Sequence, residues 1–366
     1  MRSLPRFRWS PWMGDSERMR ASHRLRIAVV APVVLPVPPK GYGGIERVVS
    51  LLSEGLVERG HDVTLFASGD SKTSASLEYV LAEAPGWDGK RLVADEMYHE
   101  TAAFLRSGEF DVMSDHSWFG PYFGAFGSGT PIVTTMHLPW GTGNRRLHTL
   151  VGDRLHRIAI SARQQRVNPD VSWAATIHNG IDMDIHPFRS EKEDFLVFLG
   201  RAAGEKGPEQ AVEVARRAGR RLKMLIKCEE PQERDHWERN VVPVLSGDEE
   251  VIENPSHAQK TDVLGRAAGL LFPVQWEEPF GLVMVEAMAC GTPVLGLSKG
   301  AVPEVVEDGV TGFVVDSLSE MVEAVPRLKE LSPAACRQRA DRLFSATTMV
   351  ERYERTFQAL AHTRPA

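Results

Sequence analysis

Short apolar runs alternate with amphipathic stretches along the chain from Leu25 onward. The run LRIAVVAPVV predicts a buried strand. The following GIERVVSLLSEGLVERG predicts a helix with one apolar face, formed by Ile45, Val48, Val49, Leu52 and Leu56. Further strands are expected at HDVTLFAS, FDVMSD, PIVTTMHL, RIAIS and AATIHNG. Alternation of this kind predicts a parallel sheet with helices on both faces.

The same alternation restarts after the polar segment 183–194, MDIHPFRSEKED. Strands are expected at FLVFLG, RLKMLIK, LLFPV and TPVLGLS, with helices at GPEQAVEVARRAG, TDVLGRAAG and GLVMVEAMACG. The fold class is therefore α/β, with two Rossmann-like, doubly wound parallel-sheet domains facing a central cleft. We expect an N-terminal domain at 25–185, a C-terminal domain at 186–345, and a last helix in 346–366 that crosses back to the first domain.

Charge and cysteine content narrow the possible partners. The formal net charge of −6 gives no reason to expect nucleic acid. No apolar run reaches the roughly 20 residues that span a bilayer. Residues 1–24, rich in Arg and bearing two Trp, are expected to form a disordered basic arm with at most peripheral membrane contact. Three widely spaced cysteines form neither a metal motif nor a disulfide framework, which predicts the cytoplasm.

Two carboxylates bracket the apolar stretch EEPFGLVMVEAMACGTPV. Glu278 precedes a predicted helix start at Gly281, and Glu286 lies in the second turn. The free N–H groups and the dipole of a helix start favour a phosphate, and glycine lets a ligand approach closely. Acceptors on either side of a phosphate suit the ribose and hexose of a nucleotide sugar. The alternative is that Glu278 is solvated and Glu286 pairs with a nearby cation.

Two glycine-containing loops offer further anion contacts. Arg201 and Lys206 lie in LGRAAGEKG directly after a predicted strand, where two cations could neutralise a diphosphate. Gly43 and Gly44 close the turn GYGG before the first helix, where backbone N–H groups could touch phosphate or sugar.

Two histidines follow predicted strands at the ends where cleft residues gather. His137 ends PIVTTMH, and His116 lies in SDHSW; a purely structural histidine is the alternative for each. The pair Asp182 and Asp184 has a D-x-D spacing but lies in the expected linker without companion ligands, so no metal site is predicted.

Together these segments resemble the family 4 glycosyltransferases, retaining enzymes of the GT-B fold. EPFGLVMVEAMACGTPV matches the family's E-x7-E signature at Glu278 and Glu286. The other matches occur in the expected order: GYGGIERVV, PIVTTMH, HNGID, GRAAGEKG and GAVPEVVEDGVTGFVV. The resemblance covers nearly the whole chain from Leu25.

The resemblance implies a role for each candidate. Glu286 would bind the donor ribose and Glu278 would lie beside the donor sugar. Arg201 and Lys206 would carry the leaving-group charge that a metal carries elsewhere, so neither a metal nor another cofactor is expected. His137 would contact the sugar near the reacting carbon. Further donor contacts would come from the backbone of Phe280, Gly281 and Leu282, from Gly43 and Gly44, from Lys227, and from His116, the histidine retained where Ser114 replaces a second one.

The implied reaction is retaining transfer of a hexosyl group from a nucleoside-diphosphate sugar to an acceptor hydroxyl. The acceptor would be a secondary metabolite or a cell-envelope saccharide. VIENPSH departs from the family's base-binding turn and leaves UDP, GDP and ADP open. A non-hydrolysing nucleotide-sugar epimerase and an inactive sugar-nucleotide-binding partner protein are the alternatives. An acceptor pocket is expected from the aromatic residues Trp118, Phe119, Tyr122, Phe123, Phe126 and Trp140.

Overall fold

The computed structural model describes residues 24–87, 91–124, 129–139 and 142–361. The expected basic arm therefore lies outside the described residues up to position 23, as do Phe126 and Trp140.

Parallel strands build a first sheet from the N-terminal half of the described residues. The strands are β1 (Arg26–Val30), β2 (Asp62–Phe66), β3 (Ser76–Glu78), β4 (Val112–Asp115), β5 (Ile132–Met136), β6 (His156–Ala159) and β7 (Ala175–Thr176). Their order is β3-β2-β1-β4-β5-β6-β7. Strand β1 pairs in parallel with both β2 and β4, so the chain order reverses between β1 and β4. Ligands in such sheets bind beyond the carboxyl ends at this reversal.

Helices cover both faces of the first sheet. They are α1 (Gly44–Glu58), α2 (Leu92–Leu105), α3 (Gly120–Gly124), α4 (Thr142–Val151) and α5 (Ala162–Arg166). The predicted apolar face of α1 is confirmed, since four of its five residues are buried in the core and Ile45 packs against its edge. On the other face, α2, α3 and α4 pack over a smaller apolar cluster that includes Phe104 and Phe110.

A second parallel sheet follows in the C-terminal half. Its strands are β8 (Phe195–Arg201), β9 (Arg221–Lys227), β10 (Glu250–Glu253), β11 (Gly269–Phe272), β12 (Val294–Leu297) and β13 (Gly312–Val315), in the order β10-β9-β8-β11-β12-β13. The predicted pair of Rossmann-like sheets is therefore confirmed. The short strands β3, β10 and β13 and helix α2 were not predicted.

The second half also contains eight α-helices in its described residues. They are α6 (Pro208–Arg217), α7 (Pro231–His236), α8 (His257–Arg266), α9 (Leu282–Ala289), α10 (Val302–Val305), α11 (Leu318–Ala324), α12 (Pro333–Phe344) and α13 (Ala346–Ala361).

Short 3₁₀ turns occur in both halves, at Ser107–Glu109, Gly152–Arg154, Gly204–Lys206, Val242–Val244 and Val325–Glu330, and a π turn lies at Trp237–Val241.

The last helix, α13, packs against the first domain. Its Met349, Val350, Tyr353 and Phe357 are buried in the same core as the apolar face of α1. The two helices approach closely at Gly55, where an added Cβ would lie 2.6 Å from Val350 Cγ2. None of the helices in the described part of the chain has the length and apolar character needed to cross a membrane.

Candidate active site

Helix α9 begins directly after the loop that carries Glu278. Gly281 caps this helix at φ +83°, a conformation that favours glycine, and an added Cβ would lie 2.7 Å from Met284 Cε. The helix begins at Leu282, one residue later than predicted. The helix dipole makes this position favourable for an anion.

Glu278 is buried in the loop before α9, which contradicts the solvated alternative. Its Oε2 accepts hydrogen bonds from Lys206 Nζ at 2.6 Å and Trp276 Nε1 at 2.8 Å. The Lys206 ammonium also lies 4.5 Å from the Trp276 ring centroid. Gly300 supports the loop from behind, because an added Cβ would lie 2.2 Å from the Glu278 carbonyl oxygen. The loop therefore holds one carboxylate and one ammonium in fixed positions.

Glu286 is buried on α9 and pairs with a cation. Lys260 Nζ of helix α8 donates to Glu286 Oε1 at 2.6 Å. His186 Nε2 lies 3.8 Å from the same oxygen, too far for a hydrogen bond. Burial by itself would raise the pKa of Glu286, but Lys260 and the neighbouring His186 together outweigh it and lower the pKa well below its usual range. The cation partner considered in the alternative is thus present, and Glu286 is held ionised.

The predicted phosphate-binding cations also have carboxylate partners. Lys227 Nζ lies 2.6 Å from Glu230 Oε1 and 2.8 Å from Glu233 Oε2. Arg201, at the end of β8, pairs with Glu205 and lies 3.8 Å from Glu233. These contacts place the Arg201 guanidinium and the Lys227 ammonium beside one another, on either side of the Glu233 carboxylate.

The glycine turn of the first domain lies against the second domain. Gly43 adopts φ +155°, and an added Cβ would lie 2.7 Å from Pro39 Cβ. An added Cβ on Gly44 would contact Leu282 Cδ1 at 3.4 Å. The neighbouring Tyr42 ring lies 5.4 Å from the Lys227 ammonium. The structure therefore brings the turn to the start of α9, so that both domains border one site.

His116 and His137 form a hydrogen-bonded pair at the carboxyl ends of β4 and β5. His116 Nδ1 lies 2.8 Å from His137 Nε2, and Ser114 Oγ lies 3.0 Å from His116 Nε2. Burial lowers the pKa of His137 to about 4 and, with the neighbouring imidazole, that of His116 further. Both rings are therefore neutral at physiological pH. Ser114 holds the His116 ring, the more buried ring of the pair.

Helix α5 connects the histidine pair to the donor-side loop. Gln164 Nε2 donates to the carbonyl groups on either side of His137, at 2.8 and 3.2 Å. The adjacent Arg163 makes two hydrogen bonds to Glu277, at 2.8 and 3.0 Å, immediately before Glu278. Glu304 of the second domain accepts the Ala162 and Arg163 backbone N–H groups at 2.8 and 3.2 Å. These residues fix the two halves of the site relative to one another.

Several of these residues were not predicted. Lys260, Trp276, Arg163 and Gln164 lie outside the motifs recognised in the sequence, and Glu304 lies inside GAVPEVVEDGVTGFVV but was not singled out. Apart from Trp276, which bonds Glu278 two positions later, their partners are far apart in sequence, so only the fold brings them together. A signal existed for Trp276, which lies two residues before Glu278, and for Glu304, which lies in a matched segment.

The expected acceptor aromatics differ in their surroundings. Trp118 stacks on Trp87, with ring centroids 6.0 Å apart. Tyr122 packs against His148 at 6.3 Å and Phe123 against Phe104 at 6.1 Å, within the helical layer of α2, α3 and α4. These two rings therefore contribute to helix packing on that face.

The D-x-D pair forms a local turn in which the Asp184 backbone N–H donates to Asp182 Oδ1 at 2.9 Å. Across the described ranges, no three His, Cys, Asp or Glu side chains converge as metal ligands.

The three cysteines, Cys228, Cys290 and Cys336, are buried and unpaired thiols.

Comparison with known proteins accounts for most of the chain. Residues 42–185 match the family described as Glycosyltransferase Family 4, and residues 183–341 match Glycosyl transferases group 1. The D-inositol 3-phosphate glycosyltransferase of Mycolicibacterium smegmatis is 26% identical, over 85% of this chain and 85% of that protein.

Solved structures show the same architecture. AviGT4, a glycosyltransferase involved in avilamycin A biosynthesis, is 27% identical and superposes with a TM-score of 0.69, covering 92% of this chain and 98% of that chain. Alr3699/HepE of Anabaena, in complex with UDP and glucose, is 16% identical with a TM-score of 0.72, covering 92% and 100%. The two-sheet arrangement is the GT-B fold of these proteins.

Proposed function

The chain belongs to the family 4 glycosyltransferases, and from that premise we propose that it transfers a hexosyl group from a nucleoside-diphosphate sugar to an acceptor hydroxyl with retention of configuration. The observation that carries this proposal is the placement of Glu278, Lys206 and Trp276 beside the start of helix α9. An anion-binding helix start next to a buried carboxylate and an ammonium suits a diphosphate joined to a polyhydroxylated group.

In this proposal the donor diphosphate lies at the start of α9. Lys206 moves part of its hydrogen bonding from Glu278 to a phosphate oxygen, and Arg201 contributes a second positive charge. Glu278, released from the ammonium, accepts a hydroxyl of the sugar. Glu286 accepts the ribose hydroxyls, because Lys260 keeps its carboxylate ionised and in place.

The proposed reaction breaks the bond between the anomeric carbon and the phosphate oxygen, and the electron pair leaves with the diphosphate. Lys206 and Arg201 stabilise that charge, so no metal ion is needed. The acceptor oxygen bonds to the same face of the anomeric carbon, and its proton passes to the leaving phosphate. Neutral His137 hydrogen-bonds the donor sugar at this centre.

The relatives suggest where to look for substrates. UDP and glucose are bound by Alr3699/HepE, so a UDP-hexose is the first donor to test. The names of the similar glycosyltransferases point to an inositol phosphate or an intermediate of avilamycin A biosynthesis as acceptors to test.

The test is release of nucleoside diphosphate from UDP-, GDP- and ADP-linked hexoses with EDTA present throughout. We expect release from one donor, and we expect Lys206→Met to abolish it. Lys223→Met is the matched control, because Lys223 lies within strand β9 of the second domain and pairs with Glu250, away from the cleft. Turnover only with added divalent ion would contradict the metal-independent mechanism, and conversion of a donor without nucleotide release would indicate an epimerase.

A further inference from the structure

Over much of its length, helix α2 buries polar side chains and exposes apolar ones. Its buried face carries Glu96, His99 and Glu100, followed by the apolar Ala103 and Phe104 near its C-terminal end. Its exposed face carries large apolar side chains, with Val93, Met97 and Tyr98 between 44% and 59% exposed and Leu105 82% exposed. A surface helix normally turns its apolar residues inward, and an exposed apolar patch on one indicates an interaction site.

The buried carboxyl groups fix this orientation. Glu96 Oε1 accepts the Val33 backbone N–H at 2.8 Å, and Glu100 Oε1 accepts the N–H groups of Trp118 and Phe119 at 3.0 Å. These donors belong to the loops after β1 and β4. Rotating α2 to bury its apolar residues would leave those N–H groups without partners, so the apolar residues stay outside.

The neighbouring helix α4 extends the same exposed surface. Phe104 of α2 packs on Phe123 of α3, and Tyr122 of α3 packs on His148 of α4, so the three helices form one layer. Beyond His148, Leu147 and Leu150 point outward, and Leu150 is 83% exposed. We define the outer apolar face as Val93, Met97, Tyr98, Leu105, Leu147 and Leu150.

The charged residues around this face are mainly basic. Arg91, Arg146 and Arg154 are exposed and form no ion pair with any carboxylate in the described ranges. Arg145 donates to two neutral acceptors, the Val167 carbonyl and the Asn168 side chain. The acidic neighbours are Asp95 on α2, Asp153, which accepts a hydrogen bond from Ser172, and Glu78 and Glu109, which are both paired with Arg106 beside Leu105. The local excess of arginine contrasts with the net charge of −6 for the chain.

We propose that the outer apolar face docks on the surface of an anionic phospholipid bilayer. Apolar side chains flanked by arginines that carry no carboxylate partner suit the boundary between acyl chains and anionic headgroups. Between His137 and the start of α4 at Thr142 lies Leu138, which is also exposed. Docking therefore places the mouth of the cleft at the lipid surface, where an acceptor anchored in lipid is within reach.

The experiment is sedimentation of the full chain with vesicles of phosphatidylcholine and phosphatidylglycerol, compared with vesicles of phosphatidylcholine alone. We expect binding to the anionic vesicles that weakens as salt is added. We expect Met97→Glu combined with Leu150→Glu to lower the binding about tenfold or more, since two apolar contacts are replaced by negative charges. Val242→Glu combined with Val310→Glu is the control, because these apolar residues are also exposed, at 46% and 42%, but lie in the second domain.

Two further measurements distinguish lipid docking by this face from a lipid contact made by the N-terminal residues and from self-association. A full-chain variant with Trp9→Ala and Trp12→Ala should bind as the unchanged chain does; loss of binding there would assign the lipid contact to residues 1–23 and overturn the proposal. Sedimentation velocity without lipid should give the same mass for the unchanged chain and for the Met97→Glu, Leu150→Glu variant. If the unchanged chain sediments as a dimer and this variant as a monomer, the outer apolar face is a contact between two copies of the chain, and the proposal is overturned. Equal binding of all variants would also refute lipid docking.

Discussion

Replacing Lys260 by methionine removes the cation bound to Glu286 and keeps most of the side-chain volume. The two side chains are only 16% and 8% exposed, so water can compensate for little of the lost interaction. Breaking a buried ion pair by removing one partner costs about 3–5 kcal/mol, because the remaining charge is buried without compensation. We expect a loss of free energy of unfolding in that range at about pH 8.

The pH dependence of this loss follows from the direction of the pKa shift. With Lys260 present, the pKa of Glu286 is depressed, so its contribution to stability is present above the ordinary value of 4.5 and is lost only in strong acid. Without Lys260, burial is opposed only by His186, so the pKa of Glu286 moves upward and the carboxyl takes up a proton at a higher pH than in the unchanged protein. The difference between the two proteins should therefore shrink between about pH 8 and pH 5.

The assay is urea denaturation followed by tryptophan fluorescence at both pH values. Lys223→Met serves as the control; its partner Glu250 is 55% exposed, and its loss should cost at most about 1 kcal/mol. Adding Glu286→Gln to Lys260→Met should recover part of the stability. A loss below about 1 kcal/mol at pH 8, or an equal loss at both pH values, would refute the assignment of Lys260 as the partner that holds Glu286 ionised.

The remaining predictions concern the supports of the site. Gly300→Ala should displace the Glu278 loop and reduce turnover strongly, because the new Cβ would lie 2.2 Å from the Glu278 carbonyl oxygen. The control is Gly309→Ala, also at positive φ but with nothing within 4 Å of the added Cβ, which should lower the free energy of unfolding by only about 1–2 kcal/mol and leave turnover unchanged. Steady-state kinetics and thermal unfolding measure both effects. Burial raises the pKa of Glu100 to about 9, so stability should fall as the pH rises from the ordinary 4.5 through that value. Glu100→Gln should flatten the fall in a pH series of melting temperatures, and an unchanged slope would count against it. Arg163→Ala should lower the free energy of unfolding by less than about 1 kcal/mol, since the two side chains of its ion pair with Glu277 are 40% and 50% exposed. It should nevertheless raise the KM for the donor several-fold, because the segment next to Glu278 loses this contact. An unchanged KM would show that the Arg163–Glu277 pair is dispensable for donor binding.

The sequence by itself determined the architecture and one strip of the site. The long apolar strands β1, β8 and β9 and the amphipathic helix α1 carry strong periodic signals, so their existence and order could be read directly. Gly281 and the two carboxylates around it are close in sequence, so their placement at a helix start followed from local geometry alone.

Short and atypical elements could not be read in this way. Strands β3 (SLE) and β10 (EVIE) begin and end on polar residues, so no apolar run stands out there. Helix α2 exposes the apolar Val93, Met97, Tyr98 and Leu105 to solvent, because its buried face is occupied by carboxyl groups that accept hydrogen bonds from backbone N–H groups of distant loops. A pattern that assumes apolar residues inside does not detect such a helix.

Only the tertiary structure decided how the charges of the site are paired. Lys206 meets Glu278 across 72 positions of sequence and Lys260 meets Glu286 across 26. Arg163 reaches Glu277 across 114 positions, from the other domain. Local sequence specifies which side chains stand at the end of a strand or the start of a helix, since that depends on neighbouring residues. Which charge faces which depends on how two sheets are packed and turned toward one another, and that is a property of the whole folded chain.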